Sequence, residues 1–565
     1  MALRRIALKV RGGMGMRVHV ALSIGLFAWA SAARADSEDQ AAQIFSALRA
    51  RPDVDPRPQI GQMLSALEAA GLHNVGTVAL AELAQADRAG VSAAASQELS
   101  RRAADGGLGL ALLLRMPSAK TLPPAMAVKL ARAHLERALV IAPLEEGSSF
   151  ATIQGRTVAP TPALATDAPE AAAPVSAAQK LAASELVLSR MLAASVPRGD
   201  AAEGEAREIA ALAALAAGDV DAAQAAFDAV ARIPVKGDEA SGRHERAVLQ
   251  LARLAYARGD DSRAQSYYAK VSRAAPEWLD ALFESSWSHF RNGDDDKALG
   301  NLLTLHAPFF EGRYYPESYV LKALVLYENC RYLEARRTLR EFEARYRPLH
   351  DGLAGALDLM PTAQAAVESL SRPGGVAGFP EASRDEVARV ISAPELKTGL
   401  VQVAQMAQEI DSIDRRPQAF QRTALAQAAV PRLREARLDL LQSVGDRVRS
   451  RLAMERGELR ELLGQGLRLD FEIAGREKEL AQMPEAGSKP VAQRKSPPSV
   501  EEDEVLWPFE GEYWRDELGS YRYQLGQKCA KPRPVPARPS SRPEVQTAAQ
   551  NVATDAVATP GPAVR

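Results

Sequence analysis

Apolar and polar residues along this chain recur with the helical period of three to four residues, most regularly between residues 207 and 348. Within that stretch, a Gly-Asp turn is followed by a small residue and, four residues later, by a large aromatic or aliphatic one. The arrangement returns after 34 residues, which predicts a pair of antiparallel helices in each repeat. The recurring positions are Gly259-Asp260, Ala264 and Tyr268, then Gly293-Asp294, Ala298 and Leu302.

Two weaker copies of the pattern flank this pair and extend the predicted array to four helical hairpins. A glycine at the turn permits the left-handed backbone that joins antiparallel helices. Hairpins of this kind must stack to bury a continuous core, and the spacing is that of tetratricopeptide (TPR) repeats. The alternative is an unrelated helical bundle whose spacing agrees by chance. The flanking positions are Gly218-Asp219, Ala223, Phe227 and Pro234 upstream, and Cys330, Ala335, Leu339 and Pro348 downstream.

The predicted fold class is all-α: a TPR-like solenoid of helical hairpins, then long helices, then a small aromatic C-terminal module. Stretches rich in proline, alanine and threonine cannot bury a core, and they separate the helical regions. The predicted regions are a signal peptide (1–35), an N-terminal helical region (36–146), a Pro/Ala-rich linker (147–176), the solenoid (177–350), a connector (351–384), a long-helix or coiled-coil region (385–483), a linker (484–505), an aromatic, cysteine-containing module (506–529) and a disordered tail (530–565).

The longest predicted helix runs from Pro431 to Leu480 and carries a narrow apolar stripe between dense arginine and glutamate. Such a stripe suits a long helix packed on a neighbour, or a coiled-coil hairpin with the preceding helix, residues 395–413. Because the spacing drifts from strict heptads, self-association through residues 385–480 is an open alternative. The stripe residues are Leu440, Val444, Val448, Leu452, Leu459, Leu463 and Leu467.

The module at residues 506–529 is short and densely aromatic, with the sequence Trp-Pro-Phe-Glu-Gly-Glu-Tyr-Trp-Arg-Asp-Glu-Leu-Gly at 507–519. About twenty residues cannot form a core of their own, so the rings must be buried against another surface. We expect that surface to be the protein's own repeats. The alternative is a partner in the cell envelope.

The first 35 residues have the parts of a secretory signal peptide. Arg17 supplies positive charge, residues 18–30 form a short apolar run, and Ala33-Arg34-Ala35 fits the cleavage pattern. Cleavage after Ala35 would make Asp36 the first residue of the mature chain. The alternative is an uncleaved anchor, although the run is short for a membrane helix. No later segment has the ~18 apolar residues that a membrane helix needs, so we expect an exported chain without a transmembrane segment.

The chain has two cysteines, Cys330 at the last predicted hairpin turn and Cys529 at the end of the aromatic module. An exported protein meets an oxidising compartment, where an even number of cysteines favours a disulfide. A Cys330–Cys529 bond would fasten the module onto the solenoid. The alternative is two separate thiols.

More than half of the aromatic residues lie between residues 256 and 346. Phe283, Trp287 and Phe290 share one face of a predicted helix at spacing i, i+4, i+7, and Tyr256 and Tyr327 occupy equivalent places in the neighbouring repeats. The functional interpretation is an aromatic groove that takes a partner peptide or helix. The alternative is that these side chains fill the core or are covered by the chain's own segments.

The sequence shows no recognisable catalytic, cofactor-binding or metal-binding motif. Its 70 basic and 71 acidic residues give no reason to expect nucleic acid as a partner. Asp294-Asp295-Asp296 lacks the alternating oxygen spacing of a calcium loop and lies where a hairpin turns. The seven histidines are scattered without metal-ligand spacing. We therefore expect a protein that is not an enzyme and uses no cofactor.

Six segments between residues 247 and 529 share a further feature: residues 278–287, 301–305, 308–310, 316–318, 329–332 and 507–519. They resemble the central part of exported TPR proteins of gliding and predatory bacteria. The resemblance implies a periplasmic or outer-membrane-associated scaffold, with some members linked to gliding motility or envelope assembly. The N-terminal region and the Pro/Ala-rich linker depart from it.

These observations predict a non-enzymatic periplasmic adaptor that binds envelope proteins. The alternative is a cell-wall-acting enzyme or accessory whose site the motifs do not show. A deep pocket lined by two close carboxylates would favour that alternative.

Overall fold

The computed structural model describes residues 36–50, 55–103, 107–114, 122–141, 177–234, 237–372, 374–482, 505 and 511–525. All regular elements in these ranges are helical, which confirms the predicted all-α, solenoid-like class. The chain forms two compact units, each built from two stretches: Met1–Lys129 with Gly355–Leu452, and Leu130–Ala354 with Ala453–Arg565. Among these helices, none combines the length and the apolar character that a membrane crossing requires. The predicted signal peptide, including Ala35, lies outside the described residues, and Asp36 begins the first described helix.

The first unit contains short helices from the N-terminal half and a second set from the region after residue 355. Its helices are residues 36–50 (α1), Pro56–Ala69 (α2), His73–Ala84 (α3), Ala89–Arg102 (α4), Gly107–Leu113 (α5), the start of Pro124–Ile141 (α6), the end of Tyr332–Asp358 (α15), Ala363–Ser371 (α16), Arg384–Ile391 (α17), Pro394–Asp414 (α18), Gln418–Gln421 (α19) and the first part of Ala424–Gln482 (α20).

Helix α3 lies at the centre of the first unit, because nearly all of its residues are buried. Its N-terminus is capped from far away in the sequence by Glu409 of α18. The Glu409 carboxylate accepts hydrogen bonds from the backbone N–H groups of Asn74 (2.9 Å) and Val75 (2.8 Å). A carboxylate in this position satisfies free N–H groups and interacts favourably with the helix dipole. These two hydrogen bonds connect the two sequence stretches that form the first unit.

The predicted hairpin between the long helix and its predecessor is confirmed in the first unit. Val444 of α20 lies so close to Gly399 of α18 that a Cβ atom on the glycine would come within 2.5 Å of it. Further along, Arg434 of α20 pairs with Asp414 at 2.5 Å. The later residue of α18 contacts the earlier residue of α20, so the two helices are antiparallel.

The second unit contains the predicted array of hairpins. Four residues at its hairpin turns have positive φ: Gly218 (78°), Gly259 (77°), Gly293 (81°) and Cys330 (57°), which confirms the predicted turns. The aspartate after each glycine caps the following helix. The helices are the rest of α6, Ala177–Ala194 (α7), Glu203–Ala216 (α8), Val220–Ala231 (α9), Asp238–Ala257 (α10), Asp261–Tyr268 (α11), Trp278–Arg291 (α12), Asp295–Leu305 (α13), Pro316–Glu328 (α14), the main part of α15 and the end of α20.

Two helices run further than the sequence pattern indicated. Helix α15 continues through Pro348 to Asp358, so Pro348, the last position of the predicted array, does not end the helix. Helix α20 begins at Ala424, seven residues before Pro431. Proline removes a hydrogen-bond donor and often ends a helix, but here the helices continue on both sides of it.

Candidate peptide-docking site

Residues 511–525 of the aromatic module, called the strap below, lie across the α12–α13 hairpin of the second unit. They form no helix or strand of their own, and hydrogen bonds and apolar contacts hold them in place. The strap therefore lies against the protein's own repeats, but within it only Leu518 and Leu525 are buried and Trp514 stays exposed, so the predicted burial of the rings is not seen in these residues. The side of the hairpin that holds the strap is called the docking face, and it consists of Arg273, Trp278, Leu282, Asp296, Lys297, Gly300 and Thr304.

The docking face binds the backbone at the middle of the strap. Arg273 donates a hydrogen bond from its guanidinium to the carbonyl oxygen of Asp516 at 2.8 Å. Lys297 donates from its ammonium to the carbonyl oxygen of Gly519 at 2.9 Å, while the Gly519 N–H donates to the Thr304 hydroxyl at 2.9 Å. Bonds to backbone groups recognise the course of a chain and depend little on its side chains.

Asp296 holds the end of the strap. Its backbone carbonyl accepts a hydrogen bond from the N–H of Tyr523 at 2.8 Å, and its carboxylate accepts one from the N–H of Leu525 at 3.2 Å. Asp296 belongs to the aspartate triplet that the sequence analysis placed at a hairpin turn. Its neighbour Asp294 caps α13 through the N–H of Lys297, so the triplet has a structural role. Within the described ranges, no group of three or more potential ligands could hold a metal ion.

Two glycines let the strap and the hairpin approach each other closely. A Cβ atom on Gly300 of α13 would lie 1.8 Å from the carbonyl oxygen of Tyr521. In the strap, Gly519 has a φ of +85°, and a Cβ atom there would lie 2.9 Å from the Trp278 ring. A glycine inside a helix destabilises it by about 0.5–1 kcal/mol relative to alanine. The position of the strap gives a physical reason for glycine at residue 300.

Two leucines anchor the strap in apolar surroundings. Leu518 and Leu525 are both buried, and Leu525 belongs to the hydrophobic core that α10–α15 build. Full burial of one leucine side chain stabilises by about 1.5–3 kcal/mol. The anchors and the backbone bonds together fix the strap from Asp516 to Leu525.

The docked strap leaves one aromatic patch at the surface. Trp514 remains 43% exposed, and Phe309, in the short 3₁₀ turn after α13, is 51% exposed. The guanidinium of Arg515 lies 5.8 Å from the centre of the Phe309 ring. Strap and hairpin therefore build this patch together.

The five residues of the predicted aromatic groove are placed in or against one hydrophobic core. Tyr256, Phe283 and Trp287 are buried, with Trp287 only 2% exposed, while Phe290 and Tyr327 are partly buried. Arg291 lies over the Tyr256 ring at 4.1 Å, and burial raises the pKa of Tyr256 to about 12. Their role in binding a partner stays a prediction, and in this conformation their rings pack against the protein itself.

The second unit also contains a buried charge cluster that the sequence analysis missed. Arg253 of α10 donates to both carboxylate oxygens of Glu284 of α12, at 2.7 and 3.0 Å, and the Tyr268 hydroxyl donates to the same carboxylate at 3.1 Å. Burial, together with the nearby Glu284 charge, raises the pKa of Tyr268 well above its usual value. The cluster joins α10, α11 and α12. A sequence cannot easily reveal it, because charged residues on helices are usually solvated.

Cys330 lies at the α14–α15 turn, whereas Cys529 lies outside the described residues, so their pairing stays a prediction. The strap ends at Leu525, in the same core as Leu326 of α14, and the four-residue step to Cys529 can span up to about 14 Å. We expect peptide mapping under non-reducing conditions to recover Cys330 linked to Cys529. Two thiols that alkylate without prior reduction would contradict this.

Acidification is expected to destabilise the second unit through His306, which ends α13. Its Nε2 lies 2.8 Å from the Ser318 hydroxyl oxygen, and its ring stacks on Tyr319 at 4.1 Å. Burial, with smaller contributions from the positive charges of Lys322 and Arg345, lowers the pKa of His306 well below 6.5. Because the folded state favours the neutral ring, its stabilising contribution is complete above the unfolded pKa of about 6.5 and is lost as the pH falls below it.

The measurement is the free energy of unfolding from pH 7.5 to 5. We expect His306→Gln to show a shallower decline than the unmodified protein. His289, whose pKa is also lowered mainly by burial, contributes in the same direction and should retain part of the slope. His73→Gln is the control, because its side chain is 64% exposed. Equal slopes in all three proteins would contradict the assignment.

No family model matches the chain, and no curated protein matches it.

Proposed function

We propose that this protein is a non-enzymatic periplasmic scaffold of the TPR kind that binds protein partners in the bacterial cell envelope, in a motility or envelope-assembly complex. The proposed location comes from the signal-like residues 1–35 and from the resemblance to exported TPR proteins. The proposed mode of action comes from the second unit.

The docked strap is the observation that carries this proposal. A hairpin array acts as a scaffold when its surface holds segments of polypeptide, and here α12 and α13 hold one through backbone hydrogen bonds and leucine anchors. Stacked hairpins offer extended surfaces for such contacts. We infer that the function of the hairpin array is to bind segments of protein.

The exposed patch of Phe309, Trp514 and Arg515 is the surface that we propose for the partner. Tryptophan and arginine are among the residue types that contribute most to binding energy at protein interfaces. The predicted groove is less suitable in this conformation, because Trp287 is buried and a partner cannot reach it. Its side chain belongs to the core packing, and replacing it by alanine would cost about 3–5 kcal/mol of stability.

The alternative, a cell-wall-acting enzyme, would be favoured by a pocket with two available carboxylates. A pocket of about 690 Å³ in the first unit is lined by Glu68 and Glu98, among others. However, the Arg102 guanidinium lies 2.6 Å from Glu68 and 3.9 Å from Glu98, and Arg101 binds Glu98 at 2.6 Å. Both arginines belong to α4, whereas Glu68 belongs to α2 and Glu98 to α4, so these ion pairs suit a clamp between two helices and give the enzymatic alternative no support.

Photo-crosslinking in the native envelope tests the proposal. A photoreactive residue would replace Phe309 or Trp514 and, as a control, Leu333, which is exposed on α15. We expect one protein to crosslink from the first two positions and not from the third. We also expect Phe309→Ala combined with Trp514→Ala to weaken binding at least tenfold with unchanged thermal unfolding. Absence of any protein crosslink at both patch positions would contradict the proposal.

A further inference from the structure

The outer face of α20 carries an exposed apolar pair in the second unit. Leu467 is 58% exposed and Phe471 is 70% exposed. Residues four positions apart are neighbours on a helix surface, so the two side chains form one patch. An exposed apolar patch of this kind on a regular helix is a candidate surface for contact with another protein chain.

The rotation of α20 is fixed, so this pair cannot turn inward. On the opposite side, Leu469 and Ile473 are buried in the core of the second unit. Arg336 of α15 binds Asp470 and Glu477 of α20, each at 2.9 Å. Turning Leu467 and Phe471 toward the core would break these ion pairs and expose two core residues.

Glycines on the same outer face point to a close neighbour. A Cβ atom on Gly475 would meet nothing within 4 Å, and one on Gly464 would meet only the end of the Arg468 side chain at 4.0 Å. Glycine inside a helix is destabilising relative to alanine. At Gly466 the Phe342 ring, 3.5 Å from a Cβ atom, explains the glycine. No such contact explains Gly464 or Gly475, whereas the close approach of a second helix would.

We propose that α20 pairs with α20 of a second copy of this chain, in antiparallel orientation about a two-fold axis between residues 467 and 468. In this register Phe471 of each copy faces Gly464 of the other, and the two Leu467 side chains meet near the axis. Each Phe471 then has a glycine opposite. A parallel pair would place Phe471 against Phe471 and leave the glycines facing each other.

The charges beside the patch fit the same register. Arg460 faces Gly475 of the other copy, next to its Glu472, and Lys478 comes close to its Glu461. Opposite charges of this kind beside an apolar seam select the partner and its orientation. This pairing is independent of the partner surface at Phe309 and Trp514.

Sedimentation of the full-length protein tests the pairing. We expect twice the mass of one chain at micromolar concentration, and at least tenfold weaker dimerisation for Phe471→Glu. Because Phe471 is exposed, the circular dichroism of the variant should be unchanged. Gly464→Ala should also weaken the dimer, while alanine in the helix should not lower the stability of the monomer. A monomer at all concentrations, or a dimer that Phe471→Glu leaves intact, would overturn the proposal.

Cysteine crosslinking tests the orientation in a background with Cys330→Ser and Cys529→Ser. The antiparallel register predicts that a chain carrying Gly464→Cys forms a disulfide with a chain carrying Phe471→Cys. Crosslinking of the Phe471→Cys chain only with itself would overturn that register.

Discussion

Replacing Glu284 by alanine is expected to lower the free energy of unfolding of the second unit by about 3–5 kcal/mol. The substitution would leave the Arg253 guanidinium buried without the carboxylate that now binds it at 2.7 Å. It would also remove the acceptor of the Tyr268 hydroxyl. Removing one partner of a buried ion pair costs far more than the net contribution of the pair itself. Urea denaturation followed by circular dichroism measures the change.

Two controls separate buried charge from general damage. A variant that replaces the whole cluster, Arg253→Met with Tyr268→Phe and Glu284→Leu, should be much closer to neutral, because it removes both charges of the buried pair together. Glu343→Ala breaks an exposed pair with Arg347 and should cost at most about 1 kcal/mol. A loss for Glu284→Ala no larger than that for Glu343→Ala would contradict the importance of the cluster.

Replacing Gly300 by alanine is expected to release the strap without unfolding α13. The new methyl group would need the space of the Tyr521 carbonyl oxygen, 1.8 Å away, while alanine itself favours the helix by up to about 1 kcal/mol. Trypsin can report the release, because Arg515 and Arg522 lie within the strap. We expect cleavage there to accelerate about tenfold or more, which corresponds to a loss of at least about 1.4 kcal/mol of docking free energy.

The comparison should be made under reducing conditions, so that a Cys330–Cys529 bond cannot hold the released strap. Gly61→Ala is the matched control, because Gly61 also lies inside a helix and a Cβ atom there would meet nothing within 4 Å. It should leave strap cleavage unchanged. Equal cleavage of the Gly300→Ala protein and the unmodified protein would show that the strap does not pass over α13 at this residue.

The hairpin array could be predicted because its information is local. Each Gly-Asp turn combines a residue that tolerates positive φ with one that caps the next helix, and all three pairs are placed as expected. The division into two units could not be predicted in this way. It depends on contacts between residues far apart in the sequence, such as those of Glu409 with the start of α3. Nothing near Glu409 distinguishes it from a solvated glutamate.

The docking site was predictable only in part. The aromatic density of the module indicated that it must lie against another surface. The position at which the strap docks depends on Gly300, which looks like any other helical glycine in the sequence. The stripe predicted for α20 was right where Val448, Leu452 and Leu459 are buried and wrong at Leu467, which is exposed. A straight helix has 3.6 residues per turn, so its buried face drifts away from a fixed spacing, and Leu469 and Ile473 take over the core contacts.

Hydrogen exchange of the strap amides in the reduced full-length protein tests most directly whether the hairpin array holds an extended segment. The N–H groups of Gly519 and Tyr523 donate to the Thr304 hydroxyl and the Asp296 carbonyl, at 2.9 and 2.8 Å. We expect both amides to exchange far more slowly than in a synthetic peptide of residues 505–529 alone, and to lose this protection in Gly300→Ala. Exchange at the same rate in the protein and the free peptide would contradict the docked strap and, with it, the main support for a scaffold function.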